Sequence, residues 1–190
     1  MIRKALAVAS LSAALAGCVS LGPKIPDTLL ALTAEAAPAA GTGTSGTLAS
    51  ALVVLEPAAE ARLAVTRVPV QIDDANLAYL KGTMWVERPS RLFQRLLAET
   101  IRARGKRLVI EGDPGAGSHQ LAGRLLDMGW DARSRMVMVR YDAVRQHGGK
   151  VDTRRFESMV PVAEADPRLV GPALNQAAND VARQVADWME

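Results

Sequence analysis

The sequence predicts an α/β layered domain, in which a mixed, mostly antiparallel sheet of about six strands carries two main helices on one face. Three observations lead there. Residues 90–105 and 166–188 space their apolar side chains at helical intervals, whereas residues 120–145 alternate at period two around a turn signal. Short apolar runs bounded by Pro, Gly and acidic residues supply further strands. The order strand, helix, strand, hairpin, helix allows both helices to cover the same face of one sheet.

Residues 28–33 are short and apolar, enough for a first strand, and residues 38–47 form a Gly- and Thr-rich loop that cannot join a core. Residues 48–55 read as a buried strand stopped at Glu56-Pro57. Residues 62–70 read as another, with Pro69 confined to an edge or an end. Residues 79–87 make a weaker strand interrupted by Gly82. In the first helix Ser90 serves as N-cap and Leu92, Phe93, Leu96, Leu97 and Ile101 share one face, opposed by Arg95, Glu99 and Arg102. Gly105 terminates it. Residues 106–111 return as a strand, and residues 120–130 and 133–145 form a hairpin about Asp131-Ala132. In its second arm Val137, Val139 and Tyr141 alternate with Met136, Met138 and Arg140, as in a strand with one buried face. Residues 154–160 supply a last strand. Asp166-Pro167 then opens a helix with Leu169, Val170, Leu174, Ala177, Ala178, Val181, Val185 and Trp188 on its apolar side.

The composition excludes several classes. With 190 residues, 49% hydrophobic and 23% charged, the chain suits one domain with appendages and is not disordered throughout. No stretch of eighteen apolar residues is free of charge, so no spanning helix is expected. Lys plus Arg exceeds Asp plus Glu by 23 to 20. Two of those cations, Arg3 and Lys4, fall in a leader, and without them the balance is 21 to 20, with no basic run and only 4% aromatics. Nucleic acid is therefore not an expected partner.

The leader is recognisable residue by residue. After Arg3-Lys4, residues 5–16 are an uncharged Ala/Leu/Val/Ser run, about 18 Å long as a helix and too short for a bilayer core of about 30 Å. The run ends in Leu15-Ala16-Gly17-Cys18, with no other Cys in the chain. This resembles the bacterial lipobox. Small residues admit the chain to a peptidase, the Cys18 thiolate accepts a diacylglyceryl group, and the freed amino group accepts a further acyl chain such as palmitate. One acyl chain holds a membrane only marginally, whereas two or three make a stable anchor. By resemblance to Gram-negative sorting rules, Val19 after the Cys directs the protein to the periplasmic face of the outer membrane.

Catalytic apparatus is not visible. Residues 112–118, Gly-Asp-Pro-Gly-Ala-Gly-Ser, lack the Lys of a phosphate-binding loop and the spacing of a dinucleotide fingerprint, and read as a turn between strands. His119 and His147 are the only histidines and read as surface loop residues away from any metal-ligand spacing. No Gly-x-Ser-x-Gly elbow occurs, and Asp73-Asp74 and Glu164/Asp166 read as solvated pairs. The expectation is a protein without enzymatic activity, cofactor or metal. Met128, Trp130, Met136 and Met138 crowd the hairpin, either filling gaps in a core, the reading preferred here, or forming an adaptable apolar surface.

Residues 84–97, Met-Trp-Val-Glu-Arg-Pro-Ser-Arg-Leu-Phe-Gln-Arg-Leu-Leu, resemble the ABC-type transport auxiliary lipoprotein family. The likeness rests on Trp85, a helix opened near Pro89, the run Leu92-x-Gln94-x-Leu96-Leu97, the later paired strands and the Ala-rich last helix. With the lipobox it covers most of residues 18–190; residues 58–62, a plain connector, depart from it. The resemblance implies a signal peptide at 1–17, a lipidated N-terminus with first strand and flexible loop at 18–47, and the family domain at 48–190. It further implies a non-enzymatic outer-membrane subunit of a system that moves phospholipid or sterol-like lipid between the two membranes. Its partners would be an MCE-type substrate-binding subunit with its ABC permease and ATPase. The alternative is a structural or assembly lipoprotein that docks a periplasmic complex without touching lipid. Trp85, Gln94, Arg95, Arg102 and Trp130 are the candidate partner or lipid contacts. An apolar groove near either Trp would favour direct lipid contact, and a closed core would favour docking alone.

Overall fold

A computed structural model describes residues 26–112 and 119–190, so the leader, Cys18 and residues 113–118 of the glycine-rich turn lie outside the described residues. In chain order the elements are β1 (Leu52–Val54), β2 (Ala58–Ala59), a 3₁₀ turn (Ala61–Leu63), β3 (Pro69–Gln71), β4 (Leu77–Tyr79), α1 (Pro89–Arg102), β5 (Val109–Glu111), β6 (His119–Asp131), β7 (Met136–His147), β8 (Lys150–Pro161) and α2 (Pro167–Trp188).

The expected hairpin is the frame of the molecule. β6, β7 and β8 form an antiparallel meander. On β7, Val137, Val139, Tyr141 and Ala143 are fully buried while Met136, Met138, Arg140 and Asp142 occupy the other, partly open face. Gly148 and Gly149 close the β7–β8 turn with φ of 54° and 80°, a two-residue connection that needs positive φ at both places. In β6 the inward residues are Leu121, Gly123 and Leu125 before a bulge, then Met128 and Trp130 after it. The extra residue, Leu126, shifts the phase by one and keeps both halves of the strand facing the core.

The sheet differs from the expectation in size and direction. It has eight strands and is mixed, not a mostly antiparallel sheet of six: β1, β2 and β3 run parallel along successive parts of β6, β5 runs parallel to β1, and β4 is antiparallel to β3. Residues 52–71 therefore act as one interrupted strand. Pieces of two or three residues carry no readable period, and apolar alternation says nothing of strand direction. For the same reason most of the expected 62–70 strand is a 3₁₀ turn and loop, and only Leu30 of the expected 28–33 strand pairs, in an isolated parallel bridge with Trp85.

Both helices lie against one face of the sheet and against each other. α1 buries Leu92, Phe93, Leu96, Leu97 and Ile101 as the spacing predicts. Its N-cap is Arg88, because Pro89, with its preset φ, takes the first helical position. Ser90 instead donates its hydroxyl to Glu56 Oε1 at 2.6 Å. α2 is capped by Asp166, which accepts from the Arg168 N–H, and it buries Val170, Leu174, Ala177, Ala178, Val181 and Val185; Leu169 stays 47% exposed. At the centre the Phe93 ring meets Tyr141 edge-on, with centroids 5.3 Å apart. The Tyr141 hydroxyl donates to the Ala122 carbonyl at 2.7 Å, and burial pushes its phenol pKa well up.

Candidate functional site

The five candidate contact residues separate into two groups. Trp85 is 2% exposed and Trp130 8% exposed, so both rings belong to the core. Trp130 donates its indole N–H to the Val162 carbonyl at 2.9 Å, while the indole nitrogen of Trp85 is buried without a hydrogen-bond partner among the described residues. Gln94 and Arg95, by contrast, meet at a cleft of about 570 Å³ between α1 and the ends of β1 and β5. Glu56, Arg91 and Glu111 complete its polar rim. Gln94 donates to the Val54 carbonyl at 2.9 Å, and Arg95 forms a two-pronged pair with Glu87 at 2.9 and 3.1 Å. Arg102 reaches the same rim through Glu111, at 3.0 Å, and also holds Glu99. Exposed pairs of this kind contribute about 0–1 kcal/mol each, so exchanging them for a partner's charges costs little.

A second cavity, of about 360 Å³, opens on the sheet face away from the helices. It touches Trp130, but its walls are charged: Arg62, Asp127, Asp131, Arg133 and Arg140. Asp127, the residue after the bulge at Leu126, is one of its walls. There the Arg62 guanidinium donates to the Leu126 carbonyl at 2.7 Å and reaches Asp127 at 3.4 Å. Burial pushes the Asp127 carboxyl pKa up, and the opposing pull of Arg62 does not fully offset it. The folded state holds this proton to higher pH than the unfolded chain does. Asp127 therefore favours folding below the ordinary carboxylate value, and that contribution is lost as pH rises through the raised one. In a titration followed by carboxyl-carbon chemical shift, Asp127 is expected to titrate above 3.8. Arg62→Ala should move it higher still. A midpoint at or below the ordinary value in the wild type would contradict this placement.

The feature that sequence reasoning missed is a clamp on the N-terminal segment. Leu30 N–H donates to the Met84 carbonyl at 2.7 Å and the Leu30 carbonyl accepts from Val86 N–H at 2.8 Å. Thr33 N–H then donates to Asn175 Oδ1 at 2.8 Å. Asn179 accepts from Glu35 N–H and donates to the Thr33 carbonyl, both at 2.9 Å. Arg183 approaches Glu35 at 3.8 Å. Gly171, Asn175, Asn179 and Arg183 recur every fourth residue, so they form one stripe along α2. The dimensions agree: five extended steps span about 17 Å and twelve helical residues about 18 Å. The signal in the sequence was Asn179, a polar residue amid the apolar face of α2 and only 3% exposed.

His119 and His147, expected in loops, end β6 and β7 as cross-strand neighbours, with Nδ1 atoms 2.5 Å apart. Burial, helped by the charges of His147 and Arg107, holds the His119 pKa down. Among the described residues no group of three His, Cys, Asp or Glu is arranged to hold a metal ion, and no helix is long and apolar enough to cross a membrane.

Residues 30–186 match the family model described as the ABC-type transport auxiliary lipoprotein component. Two crystal structures share the fold. One, of a protein from Xanthomonas campestris, superposes with a TM-score of 0.71 at 20% identity and covers 85% of this chain and 94% of its own. The other, of an uncharacterized protein, gives a TM-score of 0.67 at 14% identity, covering 78% and 97%. No curated protein matches the chain.

Proposed function

We propose, since the chain belongs to the ABC-type transport auxiliary lipoprotein component family, that it is the non-enzymatic outer-membrane subunit of an MCE-type transport system. In this reading Cys18 is acylated and holds the domain on the periplasmic side of the outer membrane. The domain docks the MCE subunit, and phospholipid or sterol-like lipid moves between the membranes while another subunit hydrolyses ATP. The family match carries the proposal, because its description joins lipoprotein and transport auxiliary in one protein.

The geometry supports docking rather than lipid carriage. Trp85 and Trp130 sit in a closed core, and the cavities beside α1 and Trp130 are rimmed by charge, which would desolvate at a cost against an acyl chain. The α1 cleft, with Gln94, Arg95 and the Arg102–Glu111 pair, has the exchangeable polar surface that suits a protein partner.

The test is affinity purification of the tagged, full-length protein from membranes, compared with Cys18→Ser. The wild type is expected to bring down an MCE subunit and its ATPase, and Cys18→Ser to leave the membrane fraction without gaining bound lipid. Lipid retained by the soluble variant would replace docking with carriage. A membrane-bound wild type with neither transport partner would favour the structural lipoprotein.

A further inference from the structure

The only two histidines of the chain, His119 and His147, stand 28 positions apart, and the fold brings them into direct register at the ends of β6 and β7. Their ring centroids are 4.3 Å apart with the planes 38° from parallel, and the two Nδ1 atoms approach to 2.5 Å. Two imidazole nitrogens that both carry lone pairs repel at that distance. A proton or a metal ion between them turns the repulsion into attraction.

The backbone sets this approach. Leu121, two residues after His119 on the same face of β6, turns its carbonyl to the N–H of Leu55, just past β1, at 2.9 Å. His119 repeats that orientation, so its backbone groups turn away from β7. His147 and Lys150 flank the two-residue turn, and such a hairpin closes on a hydrogen-bonded pair, so the backbone groups of His147 turn to β8. The histidines are therefore a cross-strand pair without backbone hydrogen bonds, the kind whose side chains come closest.

The pair lines a cavity of about 500 Å³ beyond the last turn of α2, with Asp152, Glu190 and three cations, Arg107, Arg145 and Lys150, among its walls. Both arginines are already engaged. Arg145 donates to the Trp188 carbonyl at 2.7 Å and to Asp152 at 3.1 Å, and Arg107 donates to the Met189 carbonyl at 3.3 Å. Those carbonyls belong to the C-terminal end of α2, where the helix dipole favours positive charge. The lowered pKa of His119 leaves its ring neutral at neutral pH, as a metal ligand must be.

Imidazole suits Cu(II), Ni(II) and Zn(II), of which Cu(II) is held most tightly, whereas Mg(II) and Ca(II) take oxygen ligands. Nitrogens bound at about 2.0–2.1 Å to one ion stand about 3 Å apart, so the rings need to part by only about half an ångström. His147 is exposed and His119 half-buried, which leaves room for that movement. Among the described residues no third His, Cys, Asp or Glu completes a set of three, so water takes the remaining positions.

We propose that His119 and His147 form a two-imidazole site for a borderline divalent metal, Cu(II) foremost, which pins the ends of β6 and β7 together. The site is distinct from the α1 cleft and requires neither lipid nor a transport partner.

The test adds Cu(II) at neutral pH to the full chain purified from membranes in detergent, without a polyhistidine tag. Electron paramagnetic resonance is expected to show one ion per chain coupled to two imidazole nitrogens, a signal that identifies histidine whatever Cys18 carries. His119→Ala and His147→Ala should each weaken binding by more than about a hundredfold, beyond the cost of losing a merely supporting group. Zn(II), which has no redox chemistry, should raise the melting temperature of the wild type and of neither variant. The wild-type readouts stand even where a variant fails to fold. Cu(II) binding that survives either substitution, coupling to a single imidazole in the wild type, or wild-type melting unmoved by Zn(II) would each overturn the site.

Discussion

Gly123→Ala is expected to lower stability by about 3 kcal/mol, the upper part of the range for overpacking a core. A Cβ at this position would stand 2.2 Å from the Asp142 carbonyl oxygen and 2.6 Å from the Tyr141 ring. Neither neighbour can withdraw cheaply. The carbonyl belongs to β7, where Gly123 pairs with Ala143, and moving it opens the ladder. The ring is fixed at one end by its hydrogen bond to Ala122 and on its face by Phe93. At roughly 2–4 °C per kcal/mol for a domain of this size, the melting temperature should fall by about 10 °C. Thermal and urea denaturation would measure it. A midpoint within error of wild type would mean that Tyr141 does not cross β6 at this point.

Asn179→Ala should detach the N-terminal segment without unfolding the sheet. The substitution removes the acceptor of Glu35 N–H and the donors to the Thr33 and Asn175 carbonyls. Net hydrogen bonds contribute about 1 kcal/mol each, and the strap groups can turn to water once freed, so about 2 kcal/mol is the expected loss. Released by that amount, the amides of Thr33 and Glu35 should exchange about thirtyfold faster in hydrogen-exchange measurements, while those of β7 keep their protection. Asn179→Asp restores the acceptor but not the donors and should fall between. Strap amides that exchange as slowly in Asn179→Ala as in wild type would show that Asn175 and the Leu30–Trp85 bridge hold the segment unaided.

What could be read from the sequence was what repeats. The apolar stripes of α1 and α2 and the alternation on β7 extend over several periods, so both helices, their shared face and the hairpin were legible. Strands of two or three residues were not, and neither was the direction in which β1, β2 and β3 meet β6. Residues 119–131 hid a bulge, since one inserted residue cancels the period that would reveal the strand's facing. Of the contact candidates, the α1 residues Gln94, Arg95 and Arg102 were reachable from the helix pattern, which puts Arg95 and Arg102 opposite the apolar stripe. Their carboxylate partners Glu87 and Glu111 come from outside the helix and could not be named in advance. Asn179 marked one side of the clamp, but the segment it holds was hidden for a similar reason. Hydrogen bonds between a backbone segment and side chains 142 to 146 residues away leave no local pattern.

The parallel edge of β6 also sets the order of costs in assembling the chain. β6 meets β7 across the four residues 132–135, and β7 meets β8 across Gly148-Gly149, whereas Leu52 must find His119 with 66 residues between them. Loop-closure entropy grows with the logarithm of length, so the long closure costs about 2.5 kcal/mol more than the short one before any contact is made. Nor does β1 offer much in return at first contact, since its ladder with β6 is only three residues long. The meander can therefore close on local terms, while the β1–β3 edge depends on a template already in place.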